Sequence, residues 1–426
     1  MNPEVEQMLA ALYASIDEDP ERSGRWLARH GGHFLRSHFQ PIYSFPHRRP
    51  VGYEALIRVS DAQGQVLSPL HAFERVGSFE EQVHLDRLCR LLHVHNFVEQ
   101  RSQDCWLFLN IHPAVFVHAS RHAEMLAQAI EVVQQLGLPM SRLVLEVTED
   151  VMAQDEKFEH AVAAARRTGC LLALDDFGAG HSNFDRIWRI KPEIVKLDRG
   201  LLQQATASPR MARVLTQMVS LLHECGALVL LEGVETRDEA QLALDADIDL
   251  VQGYAFGRPQ AELLTAGAVS PVIEDVWDLF DASHSQGRQR YDERVAPYRT
   301  AMALALLPLQ QGRGLRQACE AFLRLEGAQL CYLLDEHGRE LGEREMPAAA
   351  VLETDQRFAP LERAGDARWA RRPYFRRALA SIGEVQVTRP YLSLHGARLC
   401  ITVSVAFWQE GRLRVLCGDA DWGQAE

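Results

Sequence analysis

The 426-residue chain carries 58 acidic against 45 Lys and Arg residues, a formal charge of -13, so it lacks the cationic excess that nonspecific binding to nucleic-acid phosphates requires. With 47% hydrophobic and 24% charged residues it sits in the ordinary globular range rather than the disordered one. Its 426 residues exceed a single barrel of about 250, so two domains are the simplest count.

Val5, Met8, Leu9, Leu12 and Ile16 recur at helical spacing and predict an amphipathic helix, packed on the following domain or on a second subunit, or serving as a simple cap. Asp17-Glu18-Asp19-Pro20 ends it, and a second short helix around Arg25 to Leu35 is expected before a first strand at Phe39. Residues 1–35 are therefore expected to form an N-terminal helical segment. Further along, Leu143-Val144-Leu145, Leu171 to Leu174, Ile194-Val195 and Leu228 to Leu231 read as buried parallel strands. Helical stretches alternate with them: Phe158 to Arg167 closes at Gly169, and Met211 to Glu224 closes at Gly226. Such repeated βαβ units predict a TIM-like (β/α)8 barrel over residues 36–268, in which residues distant in sequence meet above the C-terminal face.

Carboxylates stand at the ends of these apolar runs, in Glu54-Ala55-Leu56, Glu146-Val147-Thr148-Glu149, Asp175-Asp176-Phe177-Gly178 and Glu232-Gly233-Val234-Glu235. Converging acids of that number repel one another unless cations hold them, so the pattern points to a metal-collecting pocket. After Gly257-Arg258-Pro259 the pattern stops. Pro271 to Asp281 and Arg288 to Leu307 read as a helical connector within 269–315. Residues 316–426 then change character, with strand-like runs at Leu330 to Leu334, Leu399 to Phe407 and Arg412 to Cys417, and turns at Glu336-His337-Gly338 and Leu394-His395-Gly396. A smaller α+β domain is expected there.

The cysteines at 89, 105, 170, 225, 319, 331, 400 and 417 form no Cys-x-x-Cys pair and read as buried thiols rather than a zinc site. Asn2-Pro3-Glu4 opens the chain without a basic region and apolar core, so no conventional signal peptide is expected, and no apolar run is long enough to span a bilayer. A cytoplasmic protein with reduced thiols is expected.

The ordered set Gln40-Pro41-Ile42, Tyr53-Glu54-Ala55-Leu56-Ile57-Arg58, Leu109-Asn110, Asp175-Asp176-Phe177-Gly178-Ala179-Gly180, Val195-Lys196-Leu197-Asp198, Glu232-Gly233-Val234-Glu235 and Gln252-Gly253-Tyr254 resembles the EAL-domain phosphodiesterases, which hydrolyse cyclic di-GMP. A lone Glu-Ala-Leu is common in helices; the ordered series over residues 36 to 262 carries the resemblance. It implies hydrolysis to linear 5′-pGpG with two Mg²⁺ or Mn²⁺ ions, which together activate water and neutralise phosphoryl charge. By the same resemblance Glu54, Asn110, Glu146 and Asp175 match ligands of one ion, and Asp175, Asp176 and Glu232 those around the other.

Lys196, by family match, orients the attacking water and stabilises developing charge; a buried pair with Asp198 or Glu232 is the structural alternative. Glu232 and Glu54 are the other catalytic candidates, Glu232 through assistance to deprotonation. Leu56 and Asp198 are taken as substrate-contacting, and Gln252 as an orienting amide. Arg58 follows Glu54 at a spacing that points both to one side of an extended segment, so it can meet a phosphate or form a rim salt bridge. Tyr254 and Pro259 lie where the family packs a guanine, with Gln40 near it; core packing competes for these three.

The stretch Asp176 to Ser182 reads as an active-site loop freed by its glycines. Glu149, Phe177, Gly178, Gly180, Ser182 and Glu235 are the residues expected to couple it to a homodimer interface. His181 stands where Tyr is more usual and Asn183-Phe184 where Ser-Leu is common. His181 and His112 read as hydrogen-bonded loop histidines rather than ligands.

In the C-terminal region Arg372-Pro373-Tyr374-Phe375-Arg376-Arg377-Ala378, Thr402-Val403-Ser404 and Asp419-Ala420-Asp421-Trp422 are similar to PAS-like or Cache-like sensor modules. Arg372, Tyr374, Arg376 and Asp419 are its candidates for holding a small polar ligand, with surface salt bridges as the alternative. The competing functional readings are a noncatalytic cyclic di-GMP receptor, which would ordinarily lose acids, and a dimerisation scaffold.

Overall fold

The computed structural model describes residues 7, 10–69, 73, 77–100, 104–120, 123–148, 156–179, 184–265, 268–348, 367–392 and 399–423. They fall into two units, 1–282 and 283–426.

In the first unit, strands β1 (His33–Ser44) and β2 (Arg49–Ser60) are separated only by Phe45 to Arg48. A link that short cannot make a parallel crossover, so the two strands pair antiparallel, with Gln40 opposite Glu54. Six more strands follow: β3 (Trp106–Asn110), β4 (Leu143–Thr148), β5 (Leu171–Phe177), β6 (Ile194–Leu197), β7 (Leu228–Leu231) and β8 (Leu250–Val251). Each from β2 to β8 pairs parallel with the next. β8 returns to β1 antiparallel, which closes an eight-stranded barrel with one reversed strand.

Helices supply the crossovers. They include α1 (Phe79–Glu99), α2 (Pro113–Ser120), α3 (Ala123–Gln135), α4 (Glu156–Arg167), α5 (Phe184–Ile190), α6 (Arg199–Ala207), α7 (Pro209–Glu224) and α8 (Arg237–Asp245). Ser78 caps α1, and Thr236 with Glu239 forms a full capping box on α8, so orphan N–H groups at both starts are satisfied.

Alternation of side chains sorts every barrel strand into an outer and an inner set. Leu107, Leu109, Val147, Leu172, Leu174, Val195, Leu197, Val229 and Leu231 pack outward with the helices. Ile42, Phe108, Val144, Ala173, Ile194, Leu230 and Leu250 form a separate inner cluster. Gly52 belongs to the same layer: a Cβ there would lie 2.7 Å from the Phe108 ring.

The expected second helix around Arg25 to Leu35 is a correction. Trp26–His30 is a strand that pairs with β1 and with Ile16–Glu18. Gly31 and Gly32, with φ of 55° and 77°, turn the chain between His30 and His33; two successive left-handed residues favour a tight hairpin over a helix. Asn96 on α1 holds Trp26 by both its backbone N–H and its C=O, each at 2.8 Å. Of the predicted first helix, residues 10–13 are helical, with Leu12 and Ile16 buried beside Leu85 and Leu88; Val5, Met8 and Leu9 lie outside the described residues.

A helix α9 (Pro271–Leu304) carries the chain from one unit into the next. Its Ile273 and Val276 belong to the barrel core, and its Val295, Tyr298 and Met302 to the core of the second unit. There β9 (Ala328–Asp335), β10 (Glu340–Glu345), β11 (Gln386–Val387), β12 (Tyr391–Leu392), β13 (Leu399–Gln409) and β14 (Arg412–Asp421) form an antiparallel sheet. Its order is β10-β9-β14-β13-β11, with β12 also on β13.

Both faces of this sheet are covered. Ile401, Val403, Val405 and Phe407 meet Met302 and Phe322 on one side, while Ala406 and Cys417 meet Tyr374 and Phe375 of α10 (Pro373–Ala380) on the other. The turn at Glu336-His337-Gly338 joins β9 to β10, with the Asp335 carboxylate accepting from the N–H groups of His337 and Arg339; Leu394-His395-Gly396 lies outside the described residues. Among the described residues no helix is long and apolar enough to cross a membrane.

Candidate active site

Counting two residues along each barrel strand from its inner apolar side chain reaches the polar layer above. Gly52 leads to Glu54, Phe108 to Asn110, Val144 to Glu146, Ala173 to Asp175, Ile194 to Lys196, Leu230 to Glu232 and Leu250 to Gln252. On the reversed β1 the count runs backwards, from Ile42 to Gln40. Period-two geometry and closure thus gather side chains from eight segments at one end of the barrel.

Lys196 is the centre of this layer. Only 1% exposed, its Nζ lies 2.7 Å from Glu146 Oε1, 2.8 Å from Glu232 Oε1, 3.0 Å from Asp175 Oδ1 and 3.9 Å from Glu54 Oε2. Asn110 Nδ2 donates to Glu54 Oε1 at 3.0 Å, and Gln252 Nε2 donates to Glu54 Oε2 at 2.6 Å. Of the two structural alternatives for Lys196, Glu232 is the partner. Asp198 instead caps α6, accepting from Gly200 N–H at 2.8 Å.

Consecutive strand residues ordinarily face opposite ways, yet Asp175 and Asp176 both serve this end. The β5–β6 register shifts between Leu174 and Phe177, and Asp176 has φ of 57°. That irregularity re-aims its side chain, and ligand atoms of Asp175, Asp176 and Glu232 lie within 4.8 Å of one another.

Burial shifts the titration of the group. It pushes Glu146 well above the ordinary carboxylate range, with repulsion from Glu54 and Asp175 adding to it and Lys196 opposing. Glu232 rises to about 7 for the same leading reason, again against Lys196. Burial works to lower Lys196, but attraction from Asp175, Glu146, Glu232 and Glu54 overrides it and raises the ammonium well above its usual value.

Four carboxylates therefore surround one ammonium, with Asp176 beside Asp175 and Glu232. Glu146 Oε2 and Gln252 Oε1 are buried with no hydrogen-bond partner among the described residues. Orphaned oxygens, hard carboxylate and amide donors and surplus negative charge fit divalent cations.

The remaining sequence-predicted residues surround this centre unevenly. Leu56 and Arg58 continue the Glu54 face of β2; Arg58 is half-buried and forms no ion pair among the described residues, so the rim salt bridge is not seen. Gln40 donates to the Gly257 carbonyl at 3.3 Å, and the Pro259 carbonyl faces His38 Nδ1 at 3.3 Å. Tyr254 is 49% exposed, with the Arg258 guanidinium 4.0 Å over its ring. Arg258 escaped the sequence reading although it directly precedes Pro259.

Phe177 is fully buried against Phe184, and Glu235 forms a two-pronged pair with Arg199 at 2.7 Å. Gly178 has φ of 100°, and a Cβ on it would collide with Leu201 at 2.1 Å. Glu149, Gly180, His181, Ser182 and Asn183 lie outside the described residues. His112 is a hydrogen-bonded loop histidine: its N–H donates to Asp86 and its Nδ1 accepts from Ala114 N–H.

In the second unit Asp419 is 3% exposed and accepts from Thr402 Oγ1 at 2.7 Å. Tyr374 is buried nearby, and Arg372 stands between the Trp369 and Tyr391 rings at 5.9 and 5.6 Å. Arg376 is exposed. Burial raises Asp419 to about 6 despite Thr402, Arg344 and Arg372. Tyr391 and Arg344 were missed in sequence, and Thr402 was quoted only within the module resemblance, because strand-borne polar residues carry no spacing signal for a partner on another strand.

A family model described as EAL domain matches residues 27–259. Cyclic di-GMP phosphodiesterase RocR of Pseudomonas aeruginosa is 28% identical over 233 residues, covering 54% of this chain and 58% of RocR. The EAL-domain containing protein YkuI of Bacillus subtilis is 25% identical over 347 residues, covering 79% of this chain and 82% of YkuI. The crystal structure of YkuI in complex with substrate c-di-GMP and calcium superposes with a TM-score of 0.76 at 20% identity, over 92% of this chain and 97% of that one. At that identity the likeness is one of fold.

Proposed function

From the premise that this chain belongs to the EAL-domain family, we propose that it hydrolyses cyclic di-GMP to linear 5′-pGpG, acting in the cytoplasm. The observation that carries the reading is the convergence of Glu54, Glu146, Asp175 and Glu232 on the Lys196 ammonium, with Asp176 beside Asp175 and Glu232. In this reading Glu54, Asn110, Glu146 and Asp175 hold one divalent ion and Asp175, Asp176 and Glu232 a second, Mg²⁺ or Mn²⁺. When bound, the ions neutralise the phosphoryl oxygens and lower the pKa of water.

The chain's own groups do the rest. The buried Lys196 ammonium orients the attacking water and stabilises charge gathering on the phosphate. Gln252 and Asn110 hold the Glu54 carboxylate in one orientation through their amide donors. Arg58, without an acidic partner among the described residues, meets a substrate phosphate. Leu56, Asp198, Tyr254, Pro259 and Gln40 line the approach, with Tyr254 offering a ring for a guanine.

Residues 36–268 carry the chemistry in this assignment, 269–315 connect, and 316–426 form a PAS- or Cache-like regulatory module that takes a small polar ligand. The functional unit is a homodimer coupled through the loop after Phe177. RocR bears the phosphodiesterase name and YkuI was crystallised with c-di-GMP; both support the substrate class.

The test is incubation of the purified full chain with cyclic di-GMP and Mg²⁺ or Mn²⁺, with products resolved by chromatography. Linear 5′-pGpG is expected, chelator abolishes it, and Glu54→Ala and Lys196→Ala each remove turnover. Activity retained in both variants overturns the site assignment. Binding without turnover by the parent protein replaces the enzyme with a receptor.

A further inference from the structure

A second concave feature lies on the outer face of the barrel, between β3, β4 and helices α1, α2, α3 and α4. It is a cavity of about 140 Å³. Its floor is buried and apolar, with Val94, Leu109, Ile111, Phe116 and Ala161 among the side chains that line it. Ala129 on α3, which is exposed, marks the side that faces solvent. Close-packed interiors keep few voids larger than a water molecule, so this space asks for an occupant other than the described side chains.

Water is a poor occupant. A buried water needs about two to four polar partners, and the described wall offers only Thr168, Arg87 and Arg90. Both arginines are engaged already: Arg90 Nη2 donates to Asp86 Oδ2 at 2.5 Å, and Arg87 has an interaction of its own. No surplus charge therefore recommends an ionic ligand, and an unpaired charge among such side chains carries a large desolvation penalty. A cavity of about 150 Å³ lined by Leu, Ile and Phe stays dry and accepts benzene, which sets both the size and the polarity of what fits here.

We propose that this cavity binds a small neutral apolar molecule of about six carbons, with a single aromatic ring the best match in volume. The site is independent of the catalytic reading. It nevertheless touches the backs of the strands that carry Asn110 and Glu146, since Leu109, Ile111 and Leu145 are their immediate neighbours.

Calorimetric titration of the full chain tests it without any activity readout, using benzene, n-butylbenzene, benzoate and benzylamine as probes. Benzene should bind saturably, one molecule per chain. Benzoate and benzylamine, which put opposite charges on the same ring, should each bind at least about tenfold more weakly. Ala161→Leu fills the floor and should abolish benzene binding. Ile130→Ala removes most of one wall side chain and should raise the affinity of n-butylbenzene relative to benzene at least about tenfold, because the added methylenes find room; it serves even if the filled variant does not fold. Absence of saturable benzene binding, either charged probe binding as tightly as benzene, benzene binding unchanged in a folded Ala161→Leu chain, or a preference indifferent to Ile130→Ala would overturn the proposal.

Discussion

Replacing Lys196 with Met removes the ammonium at the centre of a layer of buried acids while keeping the length of the stem. Its Nζ touches Glu146, Glu232 and Asp175 at 2.7, 2.8 and 3.0 Å and approaches Glu54 at 3.9 Å. Each contact contributes several kcal/mol of attraction at an effective dielectric of about 20, but desolvation of the ammonium cancels most of it. Breaking a buried pair by deleting one partner costs about 3–5 kcal/mol net, because the charges left behind have no counterpart.

At a urea slope of about 3 kcal/mol/M, that lowers the midpoint by between about 1 and 2 M. The assay is urea unfolding of parent and Lys196→Met in chelator at pH 8, followed by near-UV circular dichroism, then repeated with Mn²⁺ and at pH 5. Saturating cation should recover about 2.7 kcal/mol at one hundred times its Kd. Lowering the pH should shrink the deficit as well. A carboxyl whose folded pKa lies above its unfolded one favours folding while protonated, and Glu232, raised from 4.5 to about 7, recovers its proton as pH falls through that window. An unchanged midpoint in chelator at pH 8, or a deficit as large at pH 5 as at pH 8, refutes the claim that the ammonium holds the acids together.

Gly52→Ala puts a methyl 2.7 Å from the Phe108 ring and should cost about 1–3 kcal/mol by overpacking, measured as a lower thermal midpoint with unchanged far-UV signal. Gly253→Ala should be worse, since the new atom would meet the Val234 carbonyl oxygen at 2.0 Å and that backbone cannot yield like a side chain; loss of stability and weakened metal binding, read by calorimetry, are expected together because Gln252 is adjacent. Asp419, raised by burial from 3.8 to about 6, disfavours folding as pH climbs across that interval, by up to about 3 kcal/mol. Asp419→Asn should therefore flatten the stability profile of the second unit between pH 4 and pH 6, and an unchanged slope in urea titrations would contradict the buried-carboxylate account. Burial, with Arg58 adding to it, lowers His93 from 6.5 to about 3, so stability present above pH 6.5 is lost as pH falls, by up to about 5 kcal/mol; His93→Gln, retaining a partner for Ser37, should reduce that acid loss in the same titration.

Which residues sit at the ends of apolar runs was already legible in the amino-acid order, because alternation along a strand and glycine after a helix are local rules. They put Glu54, Glu146, Asp175 and Glu232 where chemistry would be, and they marked the change of character beyond Pro259. Convergence, however, depends on closure. Only the reversal of β1 brings Gln40 opposite Glu54, and only the register shift beside Asp175 lets two successive acids face the same end. The partner of Lys196 was open between Asp198 and Glu232 until helix α6 claimed Asp198 as its cap.

The stretch from Arg25 to Leu35 failed for the same reason in reverse. Its apolar spacing suits a helix locally, while Gly31, Gly32 and the Asn96 side chain, which lies far along the chain, commit it to a hairpin. The cavity beneath α1 to α4 left no trace in the sequence at all, since empty volume arises from how four helices rest on two strands. Local pattern decides what each segment prefers to be; the long-range contacts that only the folded chain makes decide which preferences are overruled and which side chains meet.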